Sequence, residues 1–395
     1  MGNFTFTKQQ VFIFRIATSA FFFMQGIIFA TWTNRIADIR TALKLSEADL
    51  GSILFALPLG QLITMPISGF LVAKFSSKRC VFFGSVLYPM CLLLINSATS
   101  MTSLFVALLC FGISANINNI AINTQAVLVE QMYGRAMMGT FHGTWSLACI
   151  FGGLLTMLLI HLGVGITTHF IIIIIYALLT LAVFGRLLTN EVDKKEDPAD
   201  KGKTRYMPTP FIVMLGAIAF GSMSCEGTMF DWSVIYFRDV VKIPDSISSI
   251  GYIAFMSMMA TGRFVSNYFI NKFGEINVLR ANGIIITVGM LISVIFPHVV
   301  SAIIGFLMVG IGVSSVVPIC YSSTRKSHRI PSGIAIATVC SIGFMGFLMG
   351  PPLIGYIAAA TSLRVSFATM AIIGLIVTFV APMLRYRLDD SSTKQ

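Results

Sequence analysis

Residues 69–79 read Gly-Phe-Leu-Val-Ala-Lys-Phe-Ser-Ser-Lys-Arg, a short basic stretch that joins two long apolar segments. The two segments lie near 48–72 and 80–97, and each is close to the roughly 20 apolar residues that a membrane-spanning helix needs. The same alternation continues in both directions along the chain. It predicts an all-α integral membrane protein with twelve spanning helices, near 9–34, 48–72, 80–97, 103–129, 137–161, 167–189, 210–237, 247–271, 277–297, 300–323, 332–359 and 364–384.

The composition excludes several classes of protein. Of the 395 residues, 56% are hydrophobic and 11% are charged, whereas soluble globular proteins carry about 25% charged residues. This shortage of charge excludes a soluble enzyme, a disordered chain and a nucleic-acid-binding protein. The seven cysteines and five histidines show no metal-ligand spacing, and the sequence has no phosphate-binding loop or nucleophile motif. We therefore expect no metal, no cofactor and no enzymatic activity.

The lysines and arginines are unevenly distributed between the predicted loops. Twenty of the 27 fall on the side that carries both termini, six fall on the opposite side, and Arg263 lies within a span. Cytoplasmic loops of membrane proteins are enriched in basic residues. The bias predicts that both termini are cytoplasmic, and it explains the net charge of +11 without a nucleic-acid partner.

The chain divides into two similar halves. Asn190 to Pro208 is the one long polar segment, and its mixed charge and prolines are typical of a flexible linker. We predict a six-helix bundle at 1–189, a cytoplasmic linker at 190–209 and a second six-helix bundle at 210–395. Similar stretches recur in the two halves, namely Gln25-Gly26 and Glu226-Gly227, Trp32 and Trp232, Leu50-Gly51 and Ile250-Gly251, and Ala73-Lys74-Phe75 and Asn271-Lys272-Phe273. A parallel repeat of this kind is typical of one large class of transporters, whose site lies between the halves.

The stretch at 69–79 resembles the signature of the major facilitator superfamily, Gly-x-x-x-Asp-(Arg/Lys)-x-Gly-x-(Arg/Lys)-(Arg/Lys), and the resemblance covers essentially the whole chain. Gly69 and the basic positions match, whereas Ala73 replaces the acid and Ser76 replaces the second glycine. Three further stretches, 141–147, 226–232 and 343–352, are similar to a fucose-permease-like branch of bacterial inner-membrane proteins. The resemblance implies two six-helix bundles, transport by alternating access, a place in the bacterial inner membrane and a monomer. The family's acid helps to latch the cytoplasmic gate, and Ala73 does not supply that acid.

The fourth predicted helix carries five carboxamides within ten residues. Asn116, Asn119 and Asn123 recur at i, i+3 and i+7 and share one face, whereas Asn118 and Gln125 lie on the opposite side. Carboxamides within a bilayer must find hydrogen-bond partners inside the protein or face water. Bonds to neighbouring helices explain one such stripe more easily than two. We predict that the face of Asn116, Asn119 and Asn123 binds the substrate.

Helices 1 and 5 offer two more residues for the same path. Gln25 and Trp32 share a stripe of helix 1, and Trp145 follows His142 by one turn in helix 5. Carboxamides beside an indole suit a sugar or other polyol, because hydroxyls need donors and acceptors while C–H faces stack on rings. Gln25 and Trp145 are therefore predicted to bind the substrate, with packing as the alternative for Trp145. Trp32 and Trp232 lie near the predicted outer ends, where tryptophan typically anchors the helix in the membrane interface.

Helix 7 carries two acids within its span, Glu226 and Asp231. An acid at such depth costs about 2.5–3.5 kcal/mol on insertion scales and so indicates a function. Burial favours the neutral carboxyl, and we predict that Glu226 carries the coupling proton or contacts the substrate, with Asp231 as a relay. The alternative is a static ion pair between Glu226 and Arg263 of helix 8. The rise along the two helices leaves a vertical gap of about 10 Å between these residues, which argues against direct contact.

The eleventh predicted helix is dense in small and helix-kinking residues, at Gly343, Gly346, Gly350, Pro351, Pro352 and Gly355. Small residues let helices approach closely within lipid. Close packing is therefore the predicted role, and a bend that moves during gating is the alternative.

Three functions are compatible with the sequence. The favoured one is a symporter that moves a small polar solute, a sugar or a related metabolite, together with protons across the bilayer. An exporter of drugs or amphipathic compounds in exchange for protons is the alternative, and the 33 phenylalanines and 22 methionines keep it open. A channel or membrane-embedded enzyme would need a repeated pore loop, or a nucleophile, metal or acid pair, and the sequence offers none of these.

Overall fold

The structure is a computed structural model that describes residues 6–134, 137–190, 209–327 and 332–392. Within these residues the chain forms helices and no strands. The α-helices are α1 Lys8–Ala42, α2 Glu47–Leu54, α3 Ala56–Phe75, α4 Ser77–Asn96, α5 Met101–Tyr133, α6 Met138–His161, α7 Ile166–Phe184, α8 Pro210–Asp239, α9 Ile250–Phe273, α10 Glu275–Ile295, α11 Val299–Ser314, α12 Val316–Ser323, α13 Ser332–Ala360 and α14 Leu363–Ser392. The predicted linker at 190–209 falls almost entirely outside the described residues.

The helices confirm the predicted all-α membrane fold. Eleven helical segments of the described chain are long and apolar enough to cross a membrane. The remaining predicted span, near 247–271, corresponds to α9, which has 24 residues and a length of about 36 Å. That length exceeds the roughly 30 Å of a bilayer core. Arg263 and the neighbouring polar residues make α9 less apolar than the other spans.

Local sequence signals fix where several helices begin. The side chain of Thr7 accepts a hydrogen bond from the backbone N–H of Gln10, and the side chain of Gln10 accepts one from the backbone N–H of Thr7. Ser46 and Asp49 form the same capping box at α2. At α8 the hydroxyl of Thr209 accepts from the third residue of the helix, and Pro210 occupies the first helical position. These contacts satisfy backbone N–H groups that have no partner inside a helix.

The contacts of the chain group it into two compact units. Unit 1 consists of the described residues of Met1–Lys44 and Ala56–Lys201, and unit 2 of those of Leu45–Phe55 and Gly202–Gln395. This grouping differs from the predicted bundles at α2, which belongs to unit 2. There a Cβ atom at Gly355 of α13 would lie 2.7 Å from the Cα of Gly51, so α2 and α13 approach each other to backbone contact.

Each unit contains the same helix crossing, at positions 198 residues apart. In unit 1 a Cβ atom at Gly112 of α5 would overlap the carbonyl oxygen of Leu57 on α3. In unit 2 a Cβ atom at Gly310 of α11 would overlap the carbonyl oxygen of Phe255 on α9. Close approach through small residues is how helices associate in lipid, and here both units use it at equivalent positions.

A polar contact repeats at the same offset. Gln125 Nε2 donates to Ser77 Oγ over 2.8 Å in unit 1. In unit 2 the equivalent positions are Ser323 and Glu275, and Ser323 Oγ donates to Glu275 Oε2 over 2.7 Å. The residue types differ, but the donor and the acceptor occupy equivalent helices in the two units, α5 and α4 in unit 1 and α12 and α10 in unit 2. This is physical evidence for the internal repeat in helices whose sequences show little similarity.

Candidate functional site

The two carboxamide stripes of α5 have different environments. Gln125 is fully buried, and besides Ser77 its Nε2 donates to the carbonyl of Thr189 over 3.0 Å. Its Oε1 accepts the backbone N–H of Thr189 over 3.1 Å. Every polar atom of this carboxamide therefore has a partner inside unit 1. Gln125 holds three segments of the unit together and has no polar group left for a solute.

Asn118 lies on the same buried side of α5. Its Oδ1 accepts a hydrogen bond from Ser85 over 3.3 Å, and a Cβ atom at Gly84 would approach it to 2.9 Å. Its Nδ2 is buried with no partner in the described chain. Asn118 is thus packed against α4, as the sequence predicts for this stripe.

The opposite stripe, formed by Asn116, Asn119 and Asn123, is directed away from the core of unit 1. Asn119 is exposed, and the other two are partly exposed. Asn116 Oδ1 accepts from Ser68 Oγ over 2.8 Å, and Asn123 Nδ2 donates to the carbonyl of Asn119 over 2.8 Å. The structure therefore brings the three predicted residues together as one open row of carboxamides.

Gln25 and Trp145 lie on two helices that pack against each other, α1 and α6. A Cβ atom at Gly26 would lie 2.6 Å from the carbonyl oxygen of Trp145, so the two helices touch beside Gln25. Gln25 is 5% exposed, and within the described chain its carboxamide makes no hydrogen bond. Trp145 is partly exposed, and its ring lies 5.7 Å from that of Phe29. Gln25 and Trp145 are therefore on neighbouring helices of unit 1, and contact between the carboxamide and the indole stays a prediction.

The two other tryptophans do not act as interface anchors. Trp32 and Trp232 are both fully buried. Trp232 Nε1 donates to the carbonyl oxygen of Pro351 over 3.1 Å, and the Trp32 ring packs 6.4 Å from that of Phe111. The prediction was wrong because position along a helix gives depth but does not give the direction of the side chain.

Glu226 and Arg263 are in direct contact. Arg263 Nη2 lies 3.3 Å from Glu226 Oε1, and the two side chains are 32% and 15% exposed. The predicted vertical gap is absent from the structure. Counting the rise along two straight helices ignores their crossing and the reach of an arginine side chain. Asp231, five residues further along α8, is partly exposed and has no hydrogen-bond or ionic partner in the described chain.

One buried polar cluster escaped the sequence analysis. Arg35, on α1, is 4% exposed and donates to Nδ1 of His169 over 3.1 Å. It also donates to Asp38 over 2.8 Å and to the carbonyl of Val164 over 3.0 Å. No sequence pattern links Arg35 to His169, because the two residues are 134 positions apart. The cluster joins α1 to the start of α7, and no carboxamide of the candidate site belongs to it.

Comparison with known proteins agrees with this architecture. The model of the Major Facilitator Superfamily matches residues 12–343. An uncharacterised MFS-type transporter of Yersinia pestis is 30% identical over 364 residues, covering 92% of this chain and 94% of the relative. The membrane protein MosC of Rhizobium meliloti is 26% identical over 356 residues, covering 90% and 86%.

Solved structures show the same fold. A variant of the nucleoside transporter NupG matches with a TM-score of 0.79 and 12% identity, covering 94% of this chain and 99% of that one. A bacterial homologue of the lysosomal transporter Spinster, inward-facing and unoccupied, matches with a TM-score of 0.72 and 13% identity, covering 96% and 98%. The match of the family model and the extent of the relatives leave one conclusion. This chain belongs to the major facilitator superfamily and is a multi-pass membrane transporter that works by secondary transport with alternating access.

Proposed function

We propose that this transporter carries a small polar solute, a sugar or a related metabolite, and is driven by protons. The observation that supports this most directly is the open row of Asn116, Asn119 and Asn123 on α5. A lipid-facing row of carboxamides would leave donors and acceptors unpaired in hydrocarbon, at a cost of several kcal/mol. The row is explained if it lines a water-filled path and exchanges its water for the hydroxyl groups of a solute.

Gln25 and Trp145 support the same class of solute. Gln25 keeps a buried carboxamide without a hydrogen-bond partner among the described residues, and such a group tends to be satisfied by water or by a ligand. The partly exposed indole of Trp145 offers an apolar face within the same unit. A ring that carries hydroxyls on its edge and C–H groups on its faces uses both features. An amphipathic drug would gain little from a row of carboxamides, so export of such compounds is the less favoured function.

The acids of α8 support proton coupling. Glu226 and Asp231 both lie within a span, where acids are costly and mark ion or proton pathways. With Arg263 they form the proposed proton-coupling group. Cell-envelope placement follows the family resemblance, and we propose a monomer in the bacterial inner membrane.

A ligand screen tests the proposed solute class. Purified protein is heated with sugars, nucleosides, amino acids, vitamins and amphipathic drugs in turn, since a ligand that binds only the folded state raises the melting temperature. Nucleosides are included because NupG, which shares the fold, is named as a nucleoside transporter. We expect a polar, hydroxyl-bearing compound to stabilise the protein. Stabilisation by amphipathic drugs alone would contradict the proposal.

Substitutions on α5 then locate the site. Asn119→Ala and Asn123→Ala are expected to weaken binding of the stabilising compound by about 1–3 kcal/mol, because a polar partner is left unpaired. Asn118→Ala is the matched control on the buried face, and it should lower the melting temperature while leaving the affinity unchanged. If Asn118→Ala is the only one of the three substitutions that changes the affinity, the site lies on the face of α5 opposite to the proposed one.

A further inference from the structure

The two acids of α8 differ in their surroundings. Glu226 and Asp231 are five residues apart, so they lie about 7.5 Å apart along the helix axis and on different faces. Glu226 is held by the guanidinium of Arg263 at 3.3 Å. Asp231 has no hydrogen bond or ion pair to any residue that the structure describes. The same helix thus carries one compensated carboxylate and one without a counter-charge.

Four cations with described side chains lie on α8 itself and on α9 and α14, which pack against it, and each is engaged elsewhere; the side chains of Arg385 and Arg387, at the far end of α14, lie outside the described ones. On α9, Arg263 binds Glu226 and Lys272 lies over the ring of Tyr268, 5.7 Å from its centroid. On α14, Arg364 donates to the backbone carbonyls of Val294 and Ile295. Arg238, at the end of α8, pairs with Asp245 at 2.9 Å.

The other packed helices supply no cation at all. The sequences of α11, α12 and α13 contain no lysine, arginine, aspartate or glutamate. Their titratable residues are tyrosines and cysteines such as Tyr321 and Cys340, which are neutral at physiological pH. Besides its two cations, α9 adds only the tyrosines Tyr252 and Tyr268. Ionised Asp231 would therefore have no positive partner among the described side chains.

We propose that Asp231 carries the coupled proton and that Glu226 remains ionised against Arg263. This assignment rests on the proton coupling proposed above and decides which acid performs it. A carboxyl without a counter-charge is held in its neutral form by an apolar interior, and partial exposure lets water deliver the proton from one side and accept it at the other. Protonation of Glu226 would instead leave the charge of Arg263 uncompensated, which is costly within a span.

The alternative role for Asp231 is direct contact with a solute. That role would also leave Asp231 without a protein partner in the structure. The coupling role requires that Asp231 bind and release a proton in the absence of solute. A test without any solute therefore succeeds or fails independently of the proposed solute class.

The experiment follows the carbonyl stretch of protonated carboxyl groups by infrared spectroscopy while the pH of the purified, full-length protein is raised. Exposed acids have pKa values near 4 and are already ionised above about pH 6, so a protonated-carboxyl band that disappears at higher pH reports an interior acid. We expect this band in the unmodified protein and in Glu226→Gln. Asp231→Asn should abolish it, and Asp231→Glu should restore it at a shifted frequency.

Thermal unfolding supplies a second measurement if one variant folds poorly. Raising the pH ionises the acid in the unfolded chain more readily than in the folded protein, so the melting temperature of the unmodified protein falls as pH rises. Asp231→Asn should flatten this dependence, and Glu226→Gln should leave it in place. The assignment is overturned if Glu226→Gln removes the band or the pH dependence, or if Asp231→Asn leaves both unchanged.

Discussion

Ser76 joins α3 to α4 with a backbone conformation that favours glycine. Its φ is 80° and its ψ is 149°, a region that residues with a Cβ atom rarely adopt and that costs about 1–3 kcal/mol. Gly274, 198 residues later, joins α9 to α10 with φ 81° and ψ 153°. The two connections are therefore the same turn, and one of them is built with a strained residue. The family signature has glycine at the place of Ser76.

We predict that Ser76→Gly raises the free energy of unfolding by about 1 kcal/mol, because it removes the strain. The hydroxyl of Ser76 makes no capping hydrogen bond to α4, so its loss costs little. Thermal or chemical unfolding of the purified protein measures the change. Gly274→Ser is the matched control at the equivalent turn and should destabilise by a similar amount. If both substitutions shift stability in the same direction, the backbone conformation is not the cause.

The candidate site shows how far single residues can be predicted. The face of α5 that carries Asn119 followed from helical periodicity alone, because three carboxamides at i, i+3 and i+7 must share a side. The contact between Glu226 and Arg263 was the alternative prediction, and the rise along the helices argued against it because it does not show where α8 and α9 cross. Burial of Trp32 and Trp232 was missed for the same reason. Periodicity shows which residues share a face of one helix, but it does not show which residues of another helix they contact.

At the scale of whole elements, small residues decide which helices touch. The glycines of α13 confirm the predicted packing role, since a Cβ atom at Gly350 would lie 2.7 Å from the carbonyl oxygen of Ser224 on α8. Two breaks escaped prediction, between α2 and α3 at Phe55 and between α11 and α12 at Ser315. Each precedes a proline by three residues, Pro58 and Pro318. Proline has no N–H for the bond to the residue four before it and clashes with that carbonyl, so the sequence did contain a signal for both breaks.

The helix crossing that recurs within each unit gives a prediction at the scale of helices. Gly112→Ala and Gly310→Ala should each lower the free energy of unfolding by about 1–3 kcal/mol, the usual effect of overpacking. In both cases the new methyl group would overlap a carbonyl oxygen of the facing helix. The melting temperature of the purified variants measures the effect.

Gly69→Ala provides the control for these two variants. Gly69 lies within α3, and a Cβ atom there would meet no atom within 4 Å. Alanine should therefore be neutral, or stabilising by up to about 1 kcal/mol through helix propensity. Equal losses for all three variants would mean that glycine is needed for flexibility rather than for close approach.

At the scale of the whole molecule, hydropathy predicted the helical membrane fold, while the grouping of the helices needed coordinates. The segment Arg263 to Phe273 is too polar to indicate a span by itself, but the charge of Arg263 is compensated by Glu226 inside unit 2. Membership of α2 in unit 2 has no counterpart in the hydropathy pattern. The hydropathy of a segment depends on that segment alone. Compensation of a charge and the grouping of helices into units depend on contacts between segments.

The distribution of charge over the whole chain gives the last prediction, the orientation in the membrane. Twenty of 27 basic residues lie on the side of the termini, and such loops stay in the cytoplasm. Green fluorescent protein fused after Gln395 should therefore fluoresce, and alkaline phosphatase inserted near Ala199 should be inactive. Both positions lie outside the described residues, so their placement rests on the sequence. The matched control is phosphatase inserted at Gly163, in the short connection between α6 and α7, which should be active because an odd number of predicted spans precedes it. Phosphatase activity near Ala199 together with inactivity at Gly163 would show that the chain is inserted in the opposite orientation.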